Sequence, residues 1–480
     1  MSKERDAEVP HMKSEEFRQL GHRMVDWIAN YWARVESFPV RAPVAPGEVL
    51  AKLPLHAPEE GLGGGLGGGE GWDAVFKDLE SVVLPGVTHW QSPSFFAYFP
   101  SNASGPSVLG ELLSAGLGVQ GMLWSTGPAC TELETRVLDW LAELMGLPES
   151  FRSTSQAGGG VIQGTASEAT LVAMVAARSR VRRTRPGEAP LVAYSSTQAH
   201  SSVLKAAMLS GVARGSSDTT HVRLLETDSA YALRPEVLER AITEDLAAGR
   251  QPFFVCATLG TTSSGAVDPL GPISEVMVRT GMTAMGGWLH VDAAWAGSAL
   301  LCPEHQGLAA GIDRVDSIAF DPHKWLLTNF DCDAFYTRDR ASLVEALSVT
   351  PEYLRNAASA SGSVIDYRDW QVELGRRFRA LKLWFVVRHY GASGLRAYIR
   401  EHVRQAGLFE SWVHGDARFE LAVPRSLSLV CFRLAPLPGE LPEATDVRNR
   451  VLMERLNATG SAFLSHTVLP GVGGAPSRYV

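Results

Sequence analysis

The sequence predicts an α/β protein built around a mostly parallel sheet, because short apolar runs alternate with helical patterns between about residues 105 and 330. The strand-like runs cover residues 191–194, 253–258, 288–292 and 317–321. Runs of this length suit buried strands. Their alternation with helices is typical of βαβ units, which place helices on both faces of a parallel sheet.

Composition and charge narrow the function classes. The 480 residues are 45% hydrophobic and 20% charged, values typical of a soluble globular protein with more than one domain. The net charge of −8 argues against nucleic acid or an anionic membrane as the main partner. There is no apolar run of membrane-spanning length and no secretory signal. Five scattered cysteines without C-x-x-C spacing indicate reduced thiols, so we expect a cytoplasmic protein without a metal site.

The first hundred residues combine one helix with irregular segments. Residues 14–36 have apolar residues at helical spacing, with Ser14 as the predicted N-cap. This helix must bury its apolar face against its own chain or a partner subunit. The glycine-rich tract at 61–69 lacks a following Gly-Lys-Ser/Thr, so we interpret it as a linker. Residues 85–104 are aromatic and turn-rich, which suits either core packing or an apolar pocket wall.

The end of the chain reads as a smaller mixed region. A long amphipathic helix begins around residues 378–389 and is expected to end at Gly391. Residues 428–434 resemble a strand. The last residues, 477–480, look like the beginning of another strand, so we expect the region to be truncated.

Lys324 is the first candidate for chemistry. An apolar run ends at Asp321, and Lys324 follows within three residues. Ligands of open α/β sheets bind just outside the carboxyl ends of the strands. Burial there disfavours the ammonium form, and a neutral amine is what a Schiff-base nucleophile needs. The alternative is an ordinary lysine whose stem covers apolar surface.

A carboxylate ends a neighbouring run at Asp292. A charge at the end of a buried strand needs a partner. A protonated pyridine nitrogen would serve, and an Asp in this role recurs in pyridoxal phosphate (PLP) sites. A structural Asp that caps the next helix remains an equal alternative.

A glycine-rich turn at residues 158–169 leads into a strong helix at 170–178. Small residues with free backbone N–H groups at a helix N-terminus suit a phosphate. The pattern fails the dinucleotide fingerprint, because Gln163 stands where its last glycine belongs. A single phosphate is therefore favoured, with a tight turn and cap as the alternative.

Two weaker signals fall at the same predicted edge. His200 follows the run at 191–194 and could lie flat on an aromatic cofactor ring, although most lone histidines are ordinary polar groups. Thr261 and Thr262 follow the run at 253–258, where hydroxyls are also common in ordinary turns.

Several motifs resemble the PLP-dependent group II decarboxylases: residues 321–325 (DPHKW), 290–294 (HVDAA) and 199–202 (AHSS). Residues 85–90 (PGVTHW) and 95–100 (FFAYFP) resemble the aromatic-L-amino-acid decarboxylase branch in particular. The resemblance runs from about residue 14 to the end. It implies the aspartate-aminotransferase-like fold type I and a homodimer. It also implies an N-terminal helical dimerisation segment at 1–104, a large PLP-binding domain at 105–380 and a small C-terminal α+β domain at 381–480.

The same resemblance assigns roles to individual residues. Lys324 would hold PLP as a Schiff base, Asp292 would keep the pyridine ring protonated, and His200 would stack on it. The implied cofactor-binding residues are Ala166, Ser167, His200, Thr262, Asp292, Ala294, Asp321, His323 and Lys324. The implied substrate residues are Trp90, Tyr98, Pro100, Ser101, Met122, which would reach the partner's site, His200 and Gly375.

The implied reaction is decarboxylation of an aromatic L-amino acid to an arylalkylamine and CO2. In the resembling family a tyrosine at the position of Tyr353 donates the final proton, and a phenylalanine there goes with aldehyde formation. A glycine at the position of Gly375 is typical of indole-accepting plant enzymes and a serine of phenol-preferring ones. This favours tryptophan or 5-hydroxytryptophan, with DOPA, tyrosine or phenylalanine open. The alternatives are an aromatic aldehyde synthase, another PLP amino-acid decarboxylase, an aminotransferase, and a non-catalytic scaffold.

Overall fold

A computed structural model describes most of the chain, namely residues 11–57, 71–99, 101–155, 157–349, 351–354, 357–360, 362–471 and 476–480. The chain divides into two compact units, Met1–Pro100 with Arg450–His466 and Ser101–Asn449 with Thr467–Val480. The domain boundaries predicted at residues 104 and 380 stay a prediction. The glycine-rich tract, predicted as a linker, lies outside the described residues.

The α-helices of the described residues are α1 (Ser14–Arg34), α2 (Glu48–Lys52), α3 (Gly71–Asp78), α4 (Gly105–Leu117), α5 (Pro128–Leu144), α6 (Ala166–Thr184), α7 (Ser202–Leu209), α8 (Pro235–Ala247), α9 (Leu270–Arg279), α10 (Pro322–Trp325), α11 (Arg340–Leu347), α12 (Ala357–Ala360), α13 (Arg379–Gly415) and α14 (Pro442–Ala458). The strands are β1 (Gly159–Gln163), β2 (Leu191–Ser196), β3 (Val222–Leu225), β4 (Gln251–Thr258), β5 (Trp288–Asp292), β6 (Ser317–Phe320), β7 (Asp333–Thr337), β8 (Phe419–Leu421), β9 (Phe432–Leu434), β10 (Val468–Leu469) and β11 (Arg478–Tyr479).

The first seven strands form one sheet in the order β1-β7-β6-β5-β4-β2-β3. The adjacent pairs β3–β2, β2–β4, β4–β5 and β5–β6 are parallel, whereas β7 is antiparallel to both of its neighbours, β6 and β1. The predicted α/β class with a mostly parallel sheet is therefore confirmed. Each of the four predicted runs falls in a strand, and β6 stops at Phe320, so that Asp321 is the first residue beyond it.

Apolar side chains cover both faces of this sheet. Along β4, Phe254 and Cys256 belong to one buried cluster, while Val255 and Ala257 belong to another. Successive strand side chains point to opposite faces, so the two clusters lie on opposite sides of the sheet. Helices α6, α7 and α11 supply the first cluster, and α5, α8, α9 and α13 the second. This confirms the prediction of helices on both faces.

The glycine-rich segment was predicted as a turn, and this prediction is wrong for residues 159–163, which form β1 at the sheet edge. A Cβ at Gly158 would lie 1.8 Å from the carbonyl oxygen of Ser150, and one at Gly160 would lie 2.8 Å from the Tyr336 ring. The absence of a Cβ at these glycines therefore lets neighbouring backbone and side chains pack closely against this segment. The turn itself shrinks to two residues, and the following helix begins at Ala166, earlier than expected.

Three smaller predictions also change. Lys13, not Ser14, is the N-cap residue of α1, and it makes no side-chain cap. The predicted helix end at Gly391 is present as a non-helical residue (φ 62°), after which helical geometry resumes as far as Gly415. The predicted strand at 428–434 is reduced to β9, because a tight turn around Leu427 (φ 51°) closes the segment before it.

The N-terminal unit attaches α1 through polar and aromatic contacts. Tyr31 Oη lies 2.9 Å from Nδ1 of His89, and the rings of Phe38 and His89 stack with centroids 4.8 Å apart. No residue of α1 is buried, and Phe17 and Val25 on this helix are exposed. Leu20, Met24, Ile28 and Tyr31 on the predicted apolar face are half-buried, so the described residues of the chain cover that face only in part. Among the described helices, none has both the length and the hydropathy that crossing a membrane requires.

Candidate active site

The carboxyl ends of β4, β5 and β6 meet at one edge of the sheet. The strand register pairs Asp292 with Thr258 on one side and with Ala319 on the other. Because these strands are parallel, the residues that follow them emerge at the same edge. Asp321 comes two residues after Ala319, and Lys324 follows in the one-turn helix α10. The structure therefore brings together the lysine and the carboxylate predicted from separate segments.

Asp321 connects Lys324 to the start of α6. The Nζ atom of Lys324 lies 2.6 Å from Oδ2 of Asp321. Oδ1 of the same carboxylate accepts a hydrogen bond of 3.1 Å from the amide of Ala166 and lies 3.8 Å from Nε2 of His323. Asp321 is almost fully buried, so this ion pair is shielded from water. The carboxylate thus fixes the lysine relative to the N-terminus of α6.

The protonation of Lys324 differs from the expectation. Burial lowers the pKa of its amine, as predicted, but Asp321, Asp292 and Asp333 oppose this effect. Their combined influence raises the pKa above the ordinary lysine value. The prediction that burial alone would favour the neutral amine is wrong, because it left out the carboxylates that surround the nitrogen.

Asp292 is a buried carboxylate with a partial set of partners. Its Oδ1 accepts a hydrogen bond of 3.0 Å from the amide of Ala294. Burial raises the pKa of Asp292, while Lys324, the Ala294 amide and His200 act to lower it. A cationic group at this position would stabilise the ionised form.

The other predicted cofactor residues lie in the loops around this edge. His200 is exposed before α7, and its Nδ1 accepts a hydrogen bond of 3.2 Å from the amide of Ser202. Thr262 is exposed, whereas the neighbouring Thr261 is fully buried with its hydroxyl 2.7 Å from that of Ser264. Ser167 is half-buried in the first turn of α6. The amide of Ala166 donates to Asp321, and its predicted role in binding the cofactor stays a prediction.

Gly375 belongs to a segment that a buried ion pair holds in place. Arg376 is buried and donates hydrogen bonds to the carboxylate of Glu134 and, at 2.9 Å, to the carbonyl oxygen of Ile162. The amide of Arg376 donates to Oε1 of Gln120 at 2.6 Å, and its carbonyl accepts from the amide of Gly121 at 2.8 Å. Gly375 is exposed beside these contacts, next to the segment that carries Met122.

The remaining substrate residues were predicted from the aromatic segment. Within the N-terminal unit, the rings of Trp90 and Tyr98 stack with centroids 6.0 Å apart, and both are exposed. The amide of Tyr98 donates to Ser465 Oγ at 2.8 Å. Ser101, in the other unit, is half-buried, and Pro100 lies outside the described residues.

Tyr353 lies in a short 3₁₀ helix, Glu352–Leu354, and its side chain is outside the described part of the structure. The helix α12 follows shortly after it. Its proposed role as proton donor therefore stays a prediction.

The sequence reasoning missed two features of this site. Asp333, the first residue of β7, is fully buried and acts electrostatically on Lys324. The sequence shows only an acidic residue at the start of an apolar run, which does not reveal the strand that it faces. The pair of Glu134 and Arg376 joins residues 242 positions apart, which no local pattern indicates.

Comparison with known proteins identifies the class of this site. Residues 46–435 match the pyridoxal-dependent decarboxylase conserved domain. The chain is 49% identical to phenylacetaldehyde synthase of Arabidopsis thaliana over 96% of this chain and 91% of that protein. It is 47% identical to tyrosine decarboxylase 2 of Narcissus pseudonarcissus over 96% and 89%. The crystal structure of Oryza sativa TDC with PLP and tryptamine superposes with a TM-score of 0.90 at 43% identity, covering 98% of this chain and 93% of that chain.

The chain therefore belongs to the pyridoxal-dependent decarboxylase family, and its cofactor is pyridoxal 5′-phosphate. The residues at the sheet edge fit this group. They supply one amine for its aldehyde and one buried carboxylate, Asp292, for its ring nitrogen. The buried hydroxyl of Thr258 has no hydrogen-bond partner among the described residues, so a polar group is left over at the same edge.

Breaking the buried pair should destabilise the segment that carries Gly375. We expect Glu134→Ala to lower the free energy of unfolding by about 3–5 kcal/mol, because Arg376 keeps a buried charge without its partner. Glu134→Gln should cost less, since its amide oxygen can still accept from the amide of Ile162. Denaturant unfolding measures both. Arg418→Ala, which breaks an exposed pair with Asp416, is the control and should change stability little. Wild-type stability of Glu134→Ala would contradict the role of the pair.

Proposed function

We propose that this chain decarboxylates aromatic L-amino acids to the corresponding arylalkylamines and CO2. The observation that carries the proposal is the amine of Lys324, held by Asp321 one strand away from the buried carboxylate of Asp292, in a chain of the pyridoxal-dependent decarboxylase family. Relatives that are 44–47% identical to it are named tryptophan and tyrosine decarboxylases, which supports an aromatic substrate.

The chain's own residues would divide the work at the sheet edge. PLP supplies an electron sink that accepts the electron pair left when CO2 departs. Asp292 would hold the proton on the ring nitrogen, and burial makes this interaction strong. His200 would stack on the ring. Lys324 would bind the aldehyde and yield it to the substrate amine.

The remaining predicted residues would bind the phosphate and the substrate. Ser167 in the first turn of α6 suits a phosphate, because helix N-termini carry partial positive charge. On the resemblance to the family, Ala166 would also bind the phosphate, and Thr262, Asp321 and His323 would complete the cofactor shell. The proposed substrate residues are Trp90, Tyr98, Pro100, Ser101, Met122, His200 and Gly375.

We propose that the active form is a cytoplasmic homodimer. Four leucines on α4, Leu109, Leu112, Leu113 and Leu117, share one helical face and are each 44–53% exposed. The described residues of the chain also cover the apolar face of α1 only in part. Extended apolar surface of this kind marks an interaction site. A second copy of the chain would bury both faces.

A second candidate function is aldehyde synthesis, which the 49% identity to phenylacetaldehyde synthase favours. Both functions share the fold and the lysine, so the protonation step must separate them. We assign the proton donor to the phenol of Tyr353, which supports the amine-forming reaction.

Replacing this phenol tests the choice between amine and aldehyde. We expect Tyr353→Phe to lose amine and to gain the aldehyde, because the reacting carbon no longer receives its proton. Amine, aldehyde and oxygen uptake should be quantified for tryptophan, tyrosine and DOPA. Tyr398→Phe, on α13, is the matched control and should keep the wild-type product ratio. An unchanged amine yield from Tyr353→Phe would refute the assignment.

The substrate preference can be tested at Gly375. A Cβ at this position would lie 3.2 Å from Nε2 of Gln120, so a side chain would crowd this segment. We expect Gly375→Ser to lower kcat/KM for tryptophan relative to tyrosine by at least about tenfold, about 1.4 kcal/mol in transition-state binding. Gly407→Ala, in the middle of α13, controls for the loss of a glycine. An unchanged ratio would contradict a role of Gly375 in selecting indole substrates.

A further inference from the structure

Asp333 occupies a defined position opposite Asp321. The antiparallel register of β6 and β7 pairs Ser317 with Thr337 and Phe320 with Ala334. One further step in this register places Asp333 across from Asp321. Side chains that face each other in an antiparallel pair have Cβ atoms roughly 4.5–5.5 Å apart. The two carboxyl groups are therefore neighbours on one face of the sheet edge.

The Asp333 carboxyl lacks a conventional donor. It is fully buried, and neither of its oxygens accepts a hydrogen bond from any N–H or O–H group of the described residues. The carboxyl of Asp321 is its neighbour across the register, and the charge of Asp321 and a hydrogen bond between the two carboxyls both act to raise the pKa of Asp333. Two ionised carboxylates only accept hydrogen bonds, so such a contact requires a proton on one of them.

The partners of each carboxyl decide which one carries the proton. Asp321 forms an ion pair of 2.6 Å with the ammonium of Lys324 and accepts a hydrogen bond from the amide of Ala166, and both contacts stabilise its anion. Asp333 has neither. Burial and the charge of Asp321 raise the pKa of Asp333 well above its ordinary value, and Lys324 only partly opposes this. The proton therefore resides on Asp333.

We propose that Asp333 is a positioning residue that stays protonated and donates a hydrogen bond to Asp321, which fixes the Asp321 carboxylate against the nitrogen of Lys324. One shared proton leaves the two carboxyls with a single negative charge, which balances the cation at Lys324. The position of this proton does not depend on the cofactor. The effect on the lysine rests on the assignment of Lys324 as the PLP-bearing residue.

The other titratable groups around Asp333 do not supply an alternative donor. Asp292 at the end of β5 adds a further negative influence on it. On its own strand segment, Cys332 is fully buried, and burial raises the pKa of that thiol. Nδ1 of His323 contacts the carbonyl oxygen and the amide of Cys332. The β1 residue opposite Asp333 is Gln163, whose amide group donates to Trp370.

The first test uses the cofactor-free protein. A group whose pKa is raised by folding costs stability as pH rises from its unfolded pKa toward its folded pKa. Asp333→Asn removes this cost. The melting temperature of the variant minus that of wild type should therefore increase by roughly 1–2 °C per pH unit between pH 5 and 8. Asp333→Ser, also a neutral donor, repeats the measurement if the asparagine variant does not fold.

Asp245→Asn is the matched control. Asp245 is equally buried but, unlike Asp333, accepts hydrogen bonds from two guanidinium groups, those of Arg223 and Arg250. Its asparagine variant should differ from wild type by an amount that is constant between pH 5 and 8. The same constant difference for the Asp333 variants would overturn the proposal.

The second test uses the absorbance of PLP bound to Lys324 as a function of pH. Asp333→Asn should leave the titration midpoint within about 0.3 pH unit of wild type, because it replaces one neutral donor by another. If Asp333 were ionised, losing its charge would lower the midpoint by more than about one pH unit. The leucine of Asp333→Leu cannot donate a hydrogen bond to Asp321, so this variant should lower the midpoint by about one pH unit. Equal midpoints for the leucine and asparagine variants would contradict the positioning role. A holoprotein without PLP on Lys324 would contradict the lysine assignment instead, while the cofactor-free test would still decide the state of Asp333.

Discussion

The ion pair between Lys324 and Asp321 is the contact on which the rest of the site depends. It lies where β6 ends, and the carboxylate at its centre also binds the amide that opens α6. A buried ion pair is stable only when further hydrogen bonds satisfy its members. The sheet provides them by bringing the ends of β4, β5, β6 and the start of β7 to one edge. The lysine is thereby held in a fixed position without being removed from reach, since about a quarter of its side chain is exposed.

Electrostatics at this edge act in opposite directions on neighbouring groups. Burial alone would neutralise the lysine, but the surrounding carboxylates keep it cationic. The same crowding of carboxylates makes one of them, Asp333, difficult to ionise. Neighbouring groups whose pKa values are shifted strongly by their shared environment are common in active sites. Here the arrangement matches a site that must hold a cation at the lysine nitrogen and an anion opposite the ring nitrogen.

Much of this site could be predicted from the sequence. Apolar runs identified β2, β4, β5 and β6, and the polar residues after parallel strands must share an edge, which located Asp292 and Lys324. The glycines of β1 were misread, because the meaning of a glycine depends on which chain approaches it. Asp333 was missed, because the register of an antiparallel strand is not visible in a single sequence. The pairing of Glu134 with Arg376 depends on the tertiary fold alone.

The fold and the lysine do not by themselves decide the product. A relative named phenylacetaldehyde synthase and relatives named decarboxylases cover nearly the whole chain at similar identity. The fold and the cofactor are common to these relatives, and the product depends on the groups around the cofactor. We therefore assign the choice of product to one residue, Tyr353, and the choice of substrate to another, Gly375, rather than to the scaffold.

The central claim is that the amine of Lys324 carries the cofactor. Borohydride reduction of the holoprotein, followed by peptide mass mapping, tests it most directly. The account predicts one phosphopyridoxyl group per chain, attached to the peptide that contains Lys324 and absent after Lys324→Ala. Labelling of another lysine, or no labelled peptide from protein that has bound PLP, would contradict it.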